Sequence, residues 1–218
     1  MRVYHFTKSD TALLILKSKR LKLSDITMLN DPFDFHYFKF NSEQDRIVWL
    51  KTIREMSSSF GTVSFSANNS NPVQWAHYAD SHKGICLGFD IDDSLLSKVR
   101  YFRNRKNLPQ QVKLKDIKKA FLTKFRHWQY EDEYRVFIEK NHTEEGGSAF
   151  VNFGDKCNLR EVILGINSDV KIEKITQLLT CKYSEMKISK ASIHNSEFKM
   201  QINPLNVLLK HSESQKIK

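Results

Sequence analysis

Two glutamates, Glu131 and Glu133, stand two residues apart in the stretch Trp128-Gln129-Tyr130-Glu131-Asp132-Glu133-Tyr134-Arg135. The continuation Tyr134-Arg135-Val136-Phe137-Ile138 reads as a β-strand, so both carboxylates should leave the same face. Like charges side by side on a strand repel, which calls for water, a cation or a ligand against them. A carboxylate held against a reacting group stabilises positive charge that develops in a transition state. The same pair would also suit an exposed, solvated strand beside Arg135. The elements around it therefore decide its weight.

Arg2-Val3-Tyr4-His5-Phe6-Thr7 alternates as a short strand with His5 and Thr7 on one face. Ser9-Asp10 read as helix caps before the apolar helix Thr11-Ala12-Leu13-Leu14-Ile15-Leu16-Lys17. A later strand, Thr62-Val63-Ser64-Phe65-Ser66, sets Ser64 and Ser66 on one face and Val63 and Phe65 on the other. It is followed by a dense aromatic and imidazole cluster, Trp75-Ala76-His77-Tyr78-Ala79-Asp80-Ser81-His82-Lys83-Gly84. Asn30-Asp31-Pro32-Phe33 is turn chemistry first, because proline biases its predecessor away from helix and Asx side chains close local bonds. With Phe33 and Phe35 beside it, the same loop is a candidate lid.

These parts resemble a known group of proteins. Tyr4-His5-Phe6-Thr7, Asn30-Asp31-Pro32-Phe33, Trp75-x-His77-Tyr78-Ala79-x-x-His82-x-Gly84 and Tyr130-Glu131-x-Glu133-Tyr134-Arg135 resemble, in order, a widespread bacterial domain family of unknown function. The order of a histidine-bearing strand, a serine-bearing strand with a downstream tyrosine and a glutamate-bearing strand is similar to that of the ADP-ribosyltransferase superfamily. That resemblance implies an α+β fold with a split, bent β-sheet core, peripheral helices and NAD bound as substrate in a cleft. It implies that His5 holds a ribose hydroxyl, Tyr78 stacks on the nicotinamide and Glu133 contacts the nicotinamide ribose, with Thr7, Ser64 and Ser66 supporting the pocket. Trp75 and His77 compete with Tyr78 for the cleft, with Trp75 reading first as a core residue and His77 also as a partner for a backbone carbonyl. Glu131 would engage the acceptor. Cleavage of the bond from ribose to nicotinamide builds oxocarbenium-like charge, and a carboxylate such as Glu133 stabilises it more in the transition state than in the ground state.

Charge points to the partner. The chain carries 35 Lys and Arg against 25 Asp and Glu, yet eleven of those cations and a single acid, Asp116, lie between Lys98 and Arg126. One stretch therefore holds the whole formal net charge of +10. Leu114, Ile117, Phe121 and Phe125 recur at helical spacing, predicting an amphipathic helix over Lys113 to Arg126 with Lys115, Lys118 and Lys119 on its polar side. Before it, Arg100, Arg103 and Arg105 interleave with Tyr101 and Phe102. Cations near aromatics suit a nucleic acid, whose phosphates they neutralise and whose unpaired bases stack. A solvated basic face, an acidic protein and the pyrophosphate of NAD are the competing readings.

At 218 residues and 40% hydrophobic content the chain can bury a core as a single domain, 1–210, with two compact lobes as a variant and a polar tail, 211–218. Cys86, Cys157 and Cys181 fit neither a disulfide framework nor a zinc spacing, so a reducing cytoplasm and no metal are expected. No apolar run approaches a membrane span, and no signal peptide is evident at the N-terminus. Gly146-Gly147 reads as a hairpin turn, Glu161 to Ile166 as a buried strand, Ser168 or Asp169 as the cap of a helix reaching about Cys181, and Met186-Lys187-Ile188-Ser189 as the start of another strand.

The resemblance implies ADP-ribosyl transfer from NAD to a nucleic acid or protein, in a setting such as a toxin or phage-defence effector with a regulatory antitoxin. An NAD glycohydrolase and a non-catalytic nucleic-acid-binding module are the alternatives.

Overall fold

A computed structural model describes residues 1–140, 148–179 and 186–205. The chain is α+β, with a mixed sheet and several helices. In chain order its strands are β1 (Arg2–Thr7), β2 (Arg20–Lys22), β3 (Ser24–Asp25), β4 (Phe38–Lys39), β5 (Phe60–Ser66), β6 (Ile85–Ile91), β7 (Ser97–Lys98) and β8 (Arg100–Phe102). They continue as β9 (Lys106–Asn107), β10 (Thr123–Phe125), β11 (Glu133–Glu139), β12 (Phe150–Asn152), β13 (Cys157–Leu164), β14 (Lys187–Ile193) and β15 (Met200–Pro204). The helices are α1 (Ser9–Ser18), α2 (Glu43–Ser59), α3 (Pro72–Tyr78), α4 (Leu114–Phe121) and α5 (Ile172–Leu178). The chain forms two compact units, one from Met1–Arg20, Asn68–Ile91 and Phe153 onward, the other from Leu21–Ala67 and Asp92–Asn152.

In the first unit the strand order is β15-β14-β13-β6-β1. Pairing is antiparallel except between β13 and β14, which run parallel. Strands β6 and β13 are apolar on both faces over most of their length, as central strands must be, and Ile85, Cys86, Leu87, Phe89, Val162 and Ile163 are fully enclosed. Helix α1 buries Ala12, Leu13, Ile15 and Leu16 and stops at Lys19, which takes the left-handed conformation and donates its N–H to the Ile15 carbonyl. Helix α3 begins at Pro72 behind Asn71, whose side chain accepts from the Val73 N–H at 2.9 Å. Three consecutive left-handed residues, Asp80, Ser81 and His82, then turn the chain into β6. Gly84 and Gly165 permit this path: a Cβ would lie 2.2 Å from the Thr7 carbonyl oxygen at the first and 2.1 Å from that of His82 at the second.

In the second unit β11 is flanked by β5 and β7, all antiparallel, and β3 pairs with β5. Helix α2 is capped by Ser42, whose hydroxyl accepts from the Asp45 N–H at 3.1 Å. It buries Trp49 and Ile53, four residues apart, in a cluster with Phe35, Tyr37, Phe38 and Phe121. The Trp49 indole N–H donates to the Phe35 carbonyl at 3.0 Å and so anchors the loop carrying Asp34.

Several expectations shift. The basic helix is shorter than the predicted span, ending at Phe121, because Thr123–Phe125 pair in parallel with Arg100–Phe102 of β8. Helix α5 starts at Ile172 behind Lys171, later than the predicted Ser168 or Asp169 cap. Gly146-Gly147, Cys181 and the tail 211–218 lie outside the described residues.

Candidate functional site

The glutamate pair sits in the second unit, in a different local geometry from the one its spacing suggests. Glu131 ends a 3₁₀ turn, Arg126–Glu131, and Asp132 adopts φ 41° before β11 begins at Glu133. The two carboxylates are therefore brought together by a left-handed corner rather than by strand periodicity. Both are buried, and cations lie against them. The Lys124 ammonium donates to Glu131 at 2.7 Å and to Glu133 at 3.5 Å. Arg135 grips Glu133 with Nε at 2.7 Å and a terminal nitrogen at 3.0 Å. That terminal nitrogen also donates to Asp34 at 2.8 Å, while the other donates to the Phe121 carbonyl at 3.0 Å.

Five charged side chains, none more than 6% exposed, thus form one network: Asp34, Lys124, Glu131, Glu133 and Arg135. Three carboxylates against two cations leave it one negative charge in excess. Glu133 is held below the usual carboxylate range: burial pushes it up, but Arg135, Lys124 and a hydrogen bond from Ser64 outweigh burial. Asp34 is pushed up by burial, which Arg135 and Lys124 do not fully offset. Its Oδ2 has no hydrogen-bond partner and lies 3.9 Å from the Lys124 ammonium. Asp34 is therefore shifted toward its protonated form, the opposite direction from Glu133.

The backbone is bent to make this possible. Phe35 follows Asp34 with φ 64°, a conformation costly for a residue with a Cβ, and stays 2% exposed. Its ring packs on Phe121 at 4.4 Å and lies under the Arg135 guanidinium at 5.4 Å. The turn expected at Asp31-Pro32 is present, with the Asp31 carboxylate accepting from the Phe33 N–H at 2.9 Å. Tyr101 completes the frame, its hydroxyl accepting from the Glu133 N–H at 2.8 Å.

Two of the cavities on this unit adjoin the basic segment. One, of about 240 Å³, is walled by Phe33, Tyr37, Phe102 and Phe125 together with Arg103 and Arg105, and Lys124 reaches its inner end. The other is an open cleft of about 850 Å³ lined by Lys98, Arg100, Lys115, Lys118 and Lys119, with Tyr101 on its wall. Thr123 borders both. The six basic residues expected to contact nucleic acid are thus sorted: Arg100 and the three α4 lysines line the cleft, Arg103 and Arg105 the aromatic cavity.

Ser64 and Ser66 lie on β5 directly opposite Arg135 and Glu133. The remaining expected residues belong to the first unit. His5 and Thr7 are on β1, half-buried and buried, paired with Leu87 and Ile85 of β6. His77 is exposed and Tyr78 half-buried, with ring centroids 6.1 Å apart. Trp75 is fully enclosed, with its indole N–H on the Asn69 carbonyl at 2.7 Å and Phe6 edge-on at 5.2 Å, and packs among the core residues of the first unit.

Sequence reasoning missed Asp34 and Lys124. The only signals were an acid between two phenylalanines and a lysine between Thr123 and Phe125. Arg135 was visible beside the pair, two residues from Glu133 on the same strand face. Among the described residues no cluster of His, Cys, Asp and Glu could hold a metal ion, and no helix is long and apolar enough to cross a membrane.

The second unit is defined by an antiparallel sheet with a buried ion network at the mouth of its central strand. Residues 74–136 match a family described as a protein of unknown function (DUF2971). The matched stretch contains both Trp75 to Gly84 and Tyr130 to Arg135. No curated protein and no solved structure matches the chain.

Proposed function

We propose that the chain is an NAD-dependent ADP-ribosyltransferase that modifies a nucleic acid or protein. The observation that carries this reading is the direct pairing of the serine strand with the glutamate strand. Glu133 lies opposite Ser66, Arg135 lies opposite Ser64, and Ser64 hydrogen-bonds the Glu133 carboxylate. Two motifs far apart in the chain thereby become neighbours, as a shared pocket requires. Glu133 is the reacting carboxylate in this reading, kept ionised to meet the positive charge that grows on the ribose as neutral nicotinamide leaves. His5 and Tyr78 keep only the roles that the resemblance implies, since both belong to the first unit and Glu133 to the second. Glu131, taken up by Lys124, becomes a positioning residue rather than a contact to the acceptor.

One observation favours a second reading. Glu133 is already engaged by Arg135 and Lys124, and a carboxylate so neutralised has less to offer a developing cation. The network would then be structural and the unit a nucleic-acid-binding module. Nicotinamide release from NAD by wild-type and Glu133→Gln protein separates the two, and the product separates transfer from hydrolysis: an ADP-ribosylated acceptor marks a transferase, free ADP-ribose a glycohydrolase.

A further inference from the structure

The aromatic cavity of the second unit has a composition that the ion network does not explain. Phe33 is 62% exposed, and Phe125, stacked on one face against His127 at 4.5 Å, is 42% exposed, so both still offer aromatic surface. Tyr37 and Phe102, with centroids 5.6 Å apart, form the wall behind. Polar groups are few and specific. His36 keeps one ring nitrogen on the Asp34 carbonyl at 2.9 Å, Asn104 and Thr123 border the space, and Arg103 and Arg105 supply charge. The Arg105 guanidinium is fixed by the Phe38 carbonyl and lies over Phe40 at 5.3 Å, with its Nε–H left without an acceptor.

Size decides among occupants. At about 240 Å³ the cavity falls below the roughly 300–1,000 Å³ that holds a whole drug-sized ligand, so it takes one part of a larger ligand, on the scale of a single aromatic base. The neighbouring cleft supplies five cations against one acid, Asp116, for the backbone attached to that base, and Thr123 is common to both spaces. We propose that the second unit binds single-stranded nucleic acid, with one unpaired base held among Phe33, Phe102 and Phe125 and the flanking phosphates on Lys98, Arg100, Lys115, Lys118 and Lys119. Base stacking joined to a cationic track is the general solution for unpaired strands. The inference deepens the proposed function by naming its acceptor, and rests on that function only in calling the strand an acceptor. Binding itself requires no NAD chemistry.

The test uses the full chain without NAD and follows fluorescence anisotropy of labelled oligonucleotides about twelve nucleotides long, within the usual site size. Deoxythymidine and uridine strands should bind with a steep salt dependence and at least about tenfold more tightly than a duplex of equal length. Phe33→Ala and Phe125→Ala, both at exposed positions, should each weaken strand binding about tenfold while leaving the salt slope and the circular dichroism unchanged. Lys118→Ala should instead lower the salt slope. Equal affinity for strand and duplex would overturn the proposal, as would wild-type strand binding by both phenylalanine variants. Displacement of the strand by free NAD would overturn it too, by assigning the cavity to the dinucleotide's adenine. Because nicotinamide release is absent from this experiment, failure here leaves the transferase reading standing, and success leaves it to its own assay.

Discussion

The two units differ in what they bury beside their apolar cores. The first closes around apolar strands, with Leu87, Phe89, Val162 and Ile163 enclosed between helices and loops and Trp75 as its largest fully enclosed side chain. The second admits five charged side chains to the same depth and ties them together across Asp34, Lys124, Glu131, Glu133 and Arg135. Apolar burial is the more forgiving, because a trimmed methyl costs only its transfer free energy and a small cavity. A buried ion network is unforgiving, because removing one member leaves the others desolvated and unpaired. The contrast marks the second unit as the one with fixed buried electrostatics.

The largest effect should come from Arg135→Met, which strands Asp34 and Glu133 together. Chemical denaturation should report a loss of about 3–5 kcal/mol, against about 0.5–1.5 kcal/mol for Ile163→Val in the apolar sheet. Similar losses at the two positions would erase the distinction between the units.

Next comes the pH dependence, where two buried carboxyls act in opposite directions. Glu133 has a lowered folded pKa, so its contribution is present above the ordinary glutamate value of about 4.3 and is lost as pH falls through its folded value. Asp34 has a raised folded pKa, so its contribution is present below the ordinary aspartate value of about 3.9 and is lost as pH rises through its folded value. Asp34→Asn should therefore make stability climb more steeply, or fall less, with pH just above about 4 than in the wild type. Urea melts across that range that show identical slopes for the two proteins would remove Asp34 from the network.

The smallest effect should be at the basic cleft. Lys115→Ala, Lys118→Ala and Lys119→Ala each remove an exposed cation and should shift stability by no more than about 0.5 kcal/mol. A larger loss would mean that these lysines hold the fold.

Local periodicity carries far in this chain. Strands β1, β5, β11 and β13, helix α1 and the turn at Asp31-Pro32 are all legible from alternation, helical spacing and turn residues. The place of Glu133 on β11 is legible for the same reason. What the sequence conceals depends on distant partners. Asp34 meets Arg135 across a separation of 101 residues, so nothing nearby marks it as buried. The basic helix stops early because Thr123 to Phe125 are claimed by pairing with β8, a contact helical spacing cannot register. Glu131 and Glu133 meet through the left-handed Asp132, which the strand pattern hides. Trp75 carries the same ambiguity in reverse: an aromatic within a histidine-rich motif is legible as a platform and as core, and only burial decides.

Nicotinamide release from NAD by Glu133→Gln protein, measured beside wild type with circular dichroism on both, tests the proposed activity most directly. The account predicts release by the wild type and a drop of about a hundredfold or more in the variant with the folded signal retained. Wild-type release from a folded Glu133→Gln protein would contradict it, leaving Glu133 as a structural partner of Arg135.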